Sequence, residues 1–308
     1  MTSVEGQRPV VVVTGANGLV GRRVCEVLAE RGATVRAVVR RAGTAPELER
    51  LEEHVGDFAD PELAARVTDG ADAVVTTVHP MGSDLEAQHR VGVEETPSLA
   101  RAARDAGVDR FVHLSTCAVY DRSPGVGDVS EASPLVGDDA GDYPVTKRDA
   151  DAALARVDGI TRVLVRPPAI LGPGDTSVWN TLRPTRVRDD AKARHDVERR
   201  SFAWVHLDDL AAMVVDVALG RIASATDPAD GPVEGGCTAV DVAGEPATMG
   251  DYLGTVTRAL GVEPVWEDGS VWSGQVLTDR ARAWGWTPRV SLAAALDQLH
   301  ENVRRTVA

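Results

Sequence analysis

The chain has 308 residues, 43% of them hydrophobic and 26% charged, which suits one large domain or two smaller ones around a buried core. A formal net charge of -14 argues against nucleic acid and anionic membranes as general partners. No apolar run approaches the roughly 20 residues that span a bilayer, and the basic-apolar pattern of a signal peptide is missing at the start. Cys25, Cys117 and Cys237 are far apart and odd in number, which disfavours disulfides and a metal site and favours a reduced, cytoplasmic setting.

The first half of the chain alternates strand-like and helix-like segments. The predicted strands are 10–14, 34–39, 54–56, 73–78, 110–115 and 161–165. The predicted helices are 18–31, 47–53, 61–67, 97–106, with Thr96 as its N-cap, and 143–157. This alternation predicts an α/β fold, a doubly wound parallel sheet of the Rossmann type with helices on both faces.

The second half has a different composition. All six tryptophans follow residue 178, and stretches rich in glycine and proline separate short elements. We expect residues 1–170, with 200–222 returning, to form the dinucleotide-binding domain, and 171–308 to form mainly a small substrate-covering lobe. The tryptophans would fill a second core, line a pocket for an organic ligand, or do both.

A glycine-rich segment follows the first predicted strand and opens the first helix. Its glycines stand at 15, 18 and 21, where they permit a tight turn, the approach of a pyrophosphate and close packing of the helix on the strand. The helix N-terminus offers N–H groups and a partial positive charge to the phosphates. The dinucleotide contacts predicted in this loop are Gly15, Asn17, Gly18, Leu19 and Val20.

The end of the second strand discriminates between NAD and NADP. An acidic residue at this position binds the ribose 2′-hydroxyl of NAD, whereas arginine accommodates the 2′-phosphate of NADP. The sequence places Arg40 and Arg41 there and no acid. We therefore expect NADP as the cofactor, with NAD as the alternative. The simpler explanation of the two arginines is that they are solvated surface residues without a role in cofactor binding.

Tyr143 and Lys147 stand four residues apart at the start of a predicted helix. This spacing places them on one helix face, one turn apart. A neighbouring ammonium group favours the phenolate and lowers the pKa of a tyrosine from its ordinary value of about 10. Such a tyrosine exchanges a proton near neutral pH, as hydride transfer at a carbonyl or alcohol carbon requires.

Taken together, the motifs resemble the extended short-chain dehydrogenase/reductase family, which includes epimerases, dehydratases and reductases. The matching segments occur in family order and span roughly residues 10–210. They are 14–21, Asp57-Phe58, 114–120, 143–147, 166–174 and 205–210, with a weaker match at 284–288.

The resemblance implies a role for each matching residue. Thr116 would hydrogen-bond the reacting oxygen. Tyr143 would be the acid/base and would also contact the cofactor, and Lys147 would bind the nicotinamide ribose and tune Tyr143. The further residues implied to contact the cofactor are Asp57 and Phe58 beside the adenine, Val78 and His79 after the fourth strand, and Pro167 and Pro168 beside the nicotinamide. The simpler explanation of Thr116 is a hydroxyl that hydrogen-bonds to nearby backbone at the end of the strand. The simpler explanation of His79 is a histidine that is packed in the fold or exposed on the surface, without a role in the site.

Departures from the family pattern narrow the chemistry. Family dehydratases carry an acidic pair after the threonine, whereas this chain has Cys117 and Ala118, so a dehydratase is disfavoured. Ala169 stands where nucleotide-sugar enzymes often have asparagine, which weakens that substrate class.

The sequence favours an NADP-dependent reductase or dehydrogenase that acts on a carbonyl/alcohol pair of a small organic substrate. A sugar or nucleotide-sugar epimerase and a non-catalytic dinucleotide-binding regulator remain as alternatives. We expect no nucleic-acid, membrane or metal partner. Members of the family commonly form dimers through helices beside the sheet, so the resemblance is compatible with a homodimer.

A basic cluster interrupts the acidic chain between residues 183 and 200. It would either hold an anionic substrate group or, because acidic residues are interleaved, form a solvated and self-paired surface. Its members are Arg183, Arg186, Arg188, Lys192, Arg194, Arg199 and Arg200.

Overall fold

The computed structural model describes residues 8–80, 82, 84–174 and 177–307. Most of the N-terminal stretch that was searched for a signal peptide, residues 1–7, lies outside the described residues.

A seven-stranded parallel sheet flanked by helices forms the centre of the fold, as the alternation of elements predicted. Its strands in spatial order are β10 (Cys237–Asp241), β6 (Thr161–Arg166), β5 (Arg110–Leu114), β4 (Ala73–Thr76), β1 (Val10–Thr14), β2 (Thr34–Val39) and β3 (Leu51–Val55). From β1 the chain builds outward through β2 and β3, and it then returns to β4 on the other side of β1. This reversal creates a crevice at the carboxyl ends of β1 and β4, which is where sheets of this type bind ligands.

Helices connect and flank the strands. The longer ones are α1 (Leu19–Glu30), α2 (Pro61–Thr68), α4 (Thr96–Asp105), α5 (Asp142–Ala155), α7 (Leu207–Ala218), α8 (Met249–Leu260) and α10 (Leu292–Thr306). The shorter ones are α3 (Leu85–His89), α6 (Arg183–Asp189) and α9 (Asp279–Ala283). Short strands β7 (Ala169–Leu171) and β9 (Trp204–His206) pair with each other, as do β8 (His195–Asp196) and β11 (Val265–Trp266). In the described part of the chain, no helix combines the length and apolar character needed to cross a bilayer.

The prediction of a helix over 47–53 is wrong, and the short strand predicted at 54–56 is only the end of a longer one. Residues 51–55 form β3, which pairs with β2 in parallel from Leu51 opposite Val35 to Val55 opposite Val39. Glutamates and leucines favour helix locally, but β2 offers unpaired backbone groups that this segment satisfies. β3 is the edge strand, and its charged side chains are those an exposed edge tolerates.

Thr96 is not an N-cap. Its backbone is already helical, because a π-helical turn, Arg90–Glu95, leads directly into α4. The Thr96 hydroxyl instead donates to the Val91 carbonyl at 2.7 Å. A chain that enters a helix from a preceding helical turn leaves no orphan N–H groups for a cap to satisfy.

The chain divides into two units by internal contacts, and each unit is assembled from separated segments. The described residues of the first unit lie within 8–114, 149–164 and 211–238, and those of the second lie within 115–148, 165–210 and 239–307. Each unit therefore draws on both halves of the chain. The assignment of cofactor binding and substrate binding to separate regions stays a prediction.

The tryptophans of the second unit have both of the roles that the sequence left open. Trp204 is fully buried in a core with Tyr252 and Leu253. Trp179 and Trp272, in contrast, line a cavity.

Candidate active site

The turn after β1 has the geometry of a phosphate-binding loop. Gly15 adopts φ +72°, and a Cβ on it would lie 2.7 Å from Thr77 Oγ1 and 3.1 Å from Val78 Cγ2. The Thr77 hydroxyl donates to the carbonyl of Thr14 at 2.9 Å, which ties the residue after β4 to the end of β1. Only glycine fits a position that requires both a left-handed backbone and this close approach.

Gly21 lets α1 begin directly against this turn. A Cβ on Gly21 would lie 2.1 Å from the carbonyl oxygen of Gly15, closer than any real contact. Gly18, at the N-cap, has no side chain that could cap the helix, and the first turn carries no acidic residue. The first helical hydrogen bond, from Arg22 N–H to the Gly18 carbonyl, leaves the preceding amides without a helical acceptor.

Beyond β2, Arg40 and Arg41 are exposed, and neither forms an ion pair within the described chain. The segment after them is held by Glu53, whose carboxylate accepts from the amides of Gly43, Thr44 and Ala45 at 2.8 to 3.1 Å. These amide hydrogen bonds, that of Gly43 first, lower the pKa of Glu53.

The other residues expected at the cofactor have different degrees of exposure. Phe58 is buried, whereas Asp57 is exposed and accepts from the amide of Ala59 at 3.0 Å. Val78 lies against the Gly15 turn, and His79 is half-buried. Contact between these residues and a dinucleotide stays a prediction.

Thr116 begins a short 3-10 turn, Cys117–Val119, beyond β5. Its Oγ1 accepts from the amide of Ala118 at 3.1 Å, so the local hydrogen bond considered from the sequence does exist. The carbonyl of Pro167 accepts from the amide of Cys117 at 2.9 Å and holds this turn against the segment after β6. The hydroxyl proton of Thr116 is not used in the bond to Ala118, which leaves it for a ligand oxygen.

Tyr143 and Lys147 lie one turn apart in α5, as their spacing predicted. Tyr143 is 37% exposed, whereas Lys147 is only 5% exposed. Lysine side chains are rarely buried unless the ammonium group has a polar partner, so the burial of Lys147 fits a role in the site.

Thr116 and Tyr143 line the same cavity, which has a volume of about 610 Å³ and lies within the second unit. Pro168 contributes to the same wall, whereas Pro167 is buried beside it. A cavity of this size suits a small organic molecule. Arg122 also lines the cavity, but it was not predicted from the sequence. It lies two residues beyond a family motif, and no sequence pattern distinguishes it from other arginines.

The members of the basic stretch have different surroundings, and the binding of an anionic substrate group by any of them stays a prediction. Arg183 and Arg200 line the cavity. Arg188 pairs with Asp189 at 2.7 Å, and Arg199 donates to the Gly269 carbonyl at 2.7 Å. Arg188 therefore pairs with an interleaved acid, as the alternative of a self-paired surface predicted, whereas Arg199 is bound by a backbone carbonyl.

A buried polar network supports the Thr116 turn. The Tyr120 hydroxyl donates to Asp241 Oδ1 at 2.8 Å, and Arg166 donates to the Tyr120 oxygen at 2.8 Å. Burial, followed by the nearby charge of Glu131, raises the pKa of Asp241 to about 8, and Asp241 Oδ2 has no hydrogen-bond partner among the described residues. Burial likewise raises the pKa of Cys117, which makes its thiol unreactive.

The residues around the Gly15 turn fit a dinucleotide. A Cβ at Gly15 or Gly21 would close the turn, and the uncapped N-terminus of α1 presents amides where phosphate oxygens bind in such sheets. Among the described residues, no group of three or more histidine, cysteine or acidic side chains is arranged to hold a metal ion. A glycine turn at the reversal point of a parallel sheet defines a dinucleotide-binding α/β protein.

Comparison with known proteins agrees with this class. The sequence profile of a family described as NAD(P)H-binding matches residues 15–216. The chain belongs to this family, and within it to the extended short-chain dehydrogenase/reductases, as its motifs indicated. Its cofactor class is therefore a nicotinamide dinucleotide.

Similar proteins include reductases. A ceramide reductase of Caulobacter vibrioides is 31% identical over 211 residues, which cover 68% of this chain and 60% of the relative. A 4-hydroxy-2-methyl-3-oxo-4-farnesyl-3,4-dihydroquinoline-1-oxide ketoreductase of Stigmatella aurantiaca is 33% identical over 174 residues, 54% and 51% of the two chains. The chain thus spans between half and two thirds of these relatives. The Bordetella bronchiseptica enzyme WbmG, solved in complex with NAD, shares the fold with a TM-score of 0.75 at 19% identity, over 99% of this chain and 96% of the other.

We expect Gly21→Ala to destabilise the protein by about 3 kcal/mol, because the added methyl group overlaps the backbone of Gly15 and cannot be relieved by a rotamer change. Urea unfolding measures the effect. The matched control is Gly254→Ala in α8, where a Cβ meets nothing within 4 Å and the higher helix propensity of alanine favours the fold. Equal stabilities of the two variants would contradict the tight contact.

Asp241 makes the stability of the protein fall as the pH rises. Its pKa of about 8 in the fold lies above the ordinary value of 3.8, so its contribution is complete below about pH 4 and is lost as the pH passes 8. We expect Asp241→Asn to reduce the slope of unfolding free energy against pH between 6 and 8, by up to about 1.4 kcal/mol per pH unit. Urea unfolding at several pH values measures it, with the exposed Asp297→Asn as control. An unchanged slope in Asp241→Asn would show that this carboxyl does not titrate there.

Proposed function

We propose that the protein is an NADP-dependent reductase or dehydrogenase acting on a carbonyl/alcohol carbon of a small organic substrate. The observation that carries the proposal is that the hydroxyl of Thr116 and the phenol of Tyr143 line one cavity in a chain of the NAD(P)H-binding family. These are the two groups that carbonyl reduction needs beside a nicotinamide, one to orient the oxygen and one to exchange its proton. The names of the two reductases similar to this chain support the same reaction class.

Each side chain has a distinct task in this proposal. The nicotinamide, when bound, supplies or accepts a hydride at the substrate carbon. Thr116 donates its hydroxyl proton to the substrate oxygen, since its bond with Ala118 is one in which the hydroxyl oxygen accepts and the proton is not used. Tyr143 Oη delivers the proton as the oxygen becomes an alcohol, or takes it in the reverse direction, and the ammonium of Lys147 favours the phenolate form.

The preference for NADP is supported by the end of β2. Arg40 and Arg41 are exposed, and neither guanidinium is committed to a carboxylate within the described chain. A guanidinium matches the geometry of a phosphate, and no acidic side chain occupies these two positions to bind a ribose hydroxyl instead. Glu53 holds the adjoining amides, so it shapes this segment without pairing with either arginine.

We expect Tyr143→Phe to lower kcat for carbonyl reduction by roughly 100- to 10,000-fold, because the proton donor is lost while the ring remains. Consumption of NADPH with a panel of ketones measures it, and NADPH binding should stay unchanged. Tyr252→Phe is the control, since its hydroxyl donates to the Trp179 carbonyl and takes no part in the proposed chemistry.

Full reductase activity in Tyr143→Phe would disprove the role of the phenol. An epimerase would give a different result: product would form without net consumption of NADPH, and the cofactor would remain bound through purification. Epimerisation without net NADPH consumption would replace the proposed function with the epimerase, and the absence of any turnover would replace it with the non-catalytic regulator.

We expect NADPH to bind roughly 10-fold or more tightly than NADH, and Arg40→Ser with Arg41→Ser to abolish the difference by weakening NADPH alone. Titration of each dinucleotide measures the dissociation constants. Arg101→Ser on α4 is the control, because it removes one exposed positive charge elsewhere. Tighter binding of NADH to the unmodified protein would reverse the assignment.

A further inference from the structure

The cavity that contains Thr116 and Tyr143 has a one-sided charge. Its described lining includes three arginines, Arg122, Arg183 and Arg200, and no acidic residue. The chain as a whole carries a formal net charge of -14, so this concentration of positive charge does not follow from the composition. A concave surface of one charge sign concentrates ligands of the opposite sign.

Arg122 is the most unusual of the three. Its guanidinium lies 5.5 Å from the centre of the Trp272 ring, over the ring face. Within the described chain it makes no hydrogen bond or ion pair, and burial lowers its pKa. A desolvated charge without a counter-ion is costly, and proteins tolerate one where a ligand supplies the missing charge.

Arg183 and Arg200 share a single carboxylate. Arg183 lies 3.4 Å from Asp196 Oδ2, and Arg200 forms a close ion pair with the same oxygen. The Nε of Arg183 is buried and has no hydrogen-bond partner among the described residues. One carboxylate therefore serves two guanidinium groups and leaves a net positive charge on this side of the cavity.

The remaining walls are aromatic and apolar. Trp272 is fixed by a hydrogen bond from its Nε1 to the Gly127 carbonyl at 2.9 Å. Trp179 and Phe202 pack edge to face with ring centroids 5.2 Å apart, and both face the cavity. Such walls favour an apolar or aromatic ligand body over a sugar, which would need more hydrogen-bonding groups.

We propose that the substrate is an anionic ketone or alcohol, an apolar body carrying a carboxylate or a phosphate monoester, whose anionic group binds Arg122. Arg122 and Tyr143 line the same cavity, so an anionic group bound to Arg122 would lie near the reacting carbon. The aromatic walls hold the body of the molecule. This inference names the substrate class of the proposed reductase and rests on that function.

The experiment measures binding without requiring turnover. Isothermal titration of the full chain with NADP present compares 3-phenylpropanoate and phenyl phosphate with the neutral 3-phenylpropanamide. We expect at least one anion to bind roughly 10-fold or more tightly than the amide, because the anion alone neutralises Arg122. Preference for the carboxylate or for the phosphate identifies which anionic group the cavity accepts.

Two variants locate the effect. Arg122→Gln should bind anion and amide with similar affinity while it still binds NADP, which shows that it is folded. Arg199→Gln removes the same charge from a guanidinium that is bonded to the Gly269 carbonyl, and it should keep the full preference. A saturable preference for an anion that Arg122→Gln retains would overturn the role of Arg122.

Equal affinities for anion and amide in the unmodified protein, or no saturable binding of either anion, would overturn the proposal as a whole. Failure of the proposed function gives a different pattern: the anion would still bind through Arg122, but the unmodified protein would reduce no ketone at the expense of NADPH. The two experiments therefore test the ligand class and the reaction separately.

Discussion

The close approach of Gly21 to the carbonyl of Gly15 is the contact on which the turn after β1 and the start of α1 depend. Because the two backbones meet where a Cβ would lie 2.1 Å from an oxygen, α1 starts directly at the end of β1. Its N-terminal amides consequently lie at the carboxyl end of the sheet, beside β4, where the strand order reverses. A longer connection would carry the helix start away from this crevice.

The sequence predicted this part well because its signals are local. Glycine spacing, β-branched runs and the four-residue step from Tyr143 to Lys147 each follow from the geometry of a single element. The predictions were wrong where contacts with another segment of the chain, and not the local sequence, determined the structure. Residues 51–55 have the composition of a helix but satisfy the open edge of β2, and Thr96 follows a helical turn that no residue pattern marks.

The cavity could be predicted only in part, and for a similar reason. Thr116 and Tyr143 were found through family motifs, whereas Arg122 became visible only once Trp272, 150 residues further along the chain, was placed beside it. The basic stretch was visible as composition, but sequence alone did not distinguish Arg183, which faces the cavity, from Arg188, which pairs with its neighbour. Long-range packing determines which charges remain available to a ligand.

The carboxylate of Glu53 orders the loop after β2 before any cofactor binds. Three consecutive amides form a small anion-binding nest after β2, and an internal side chain already fills it. The nest orders the loop without help from a nucleotide, and the lowered pKa of Glu53 keeps the carboxylate ionised in mildly acidic solution. The entropy cost of shaping this loop is therefore met during folding, and an arriving nucleotide would find the segment beyond Arg41 already preorganised.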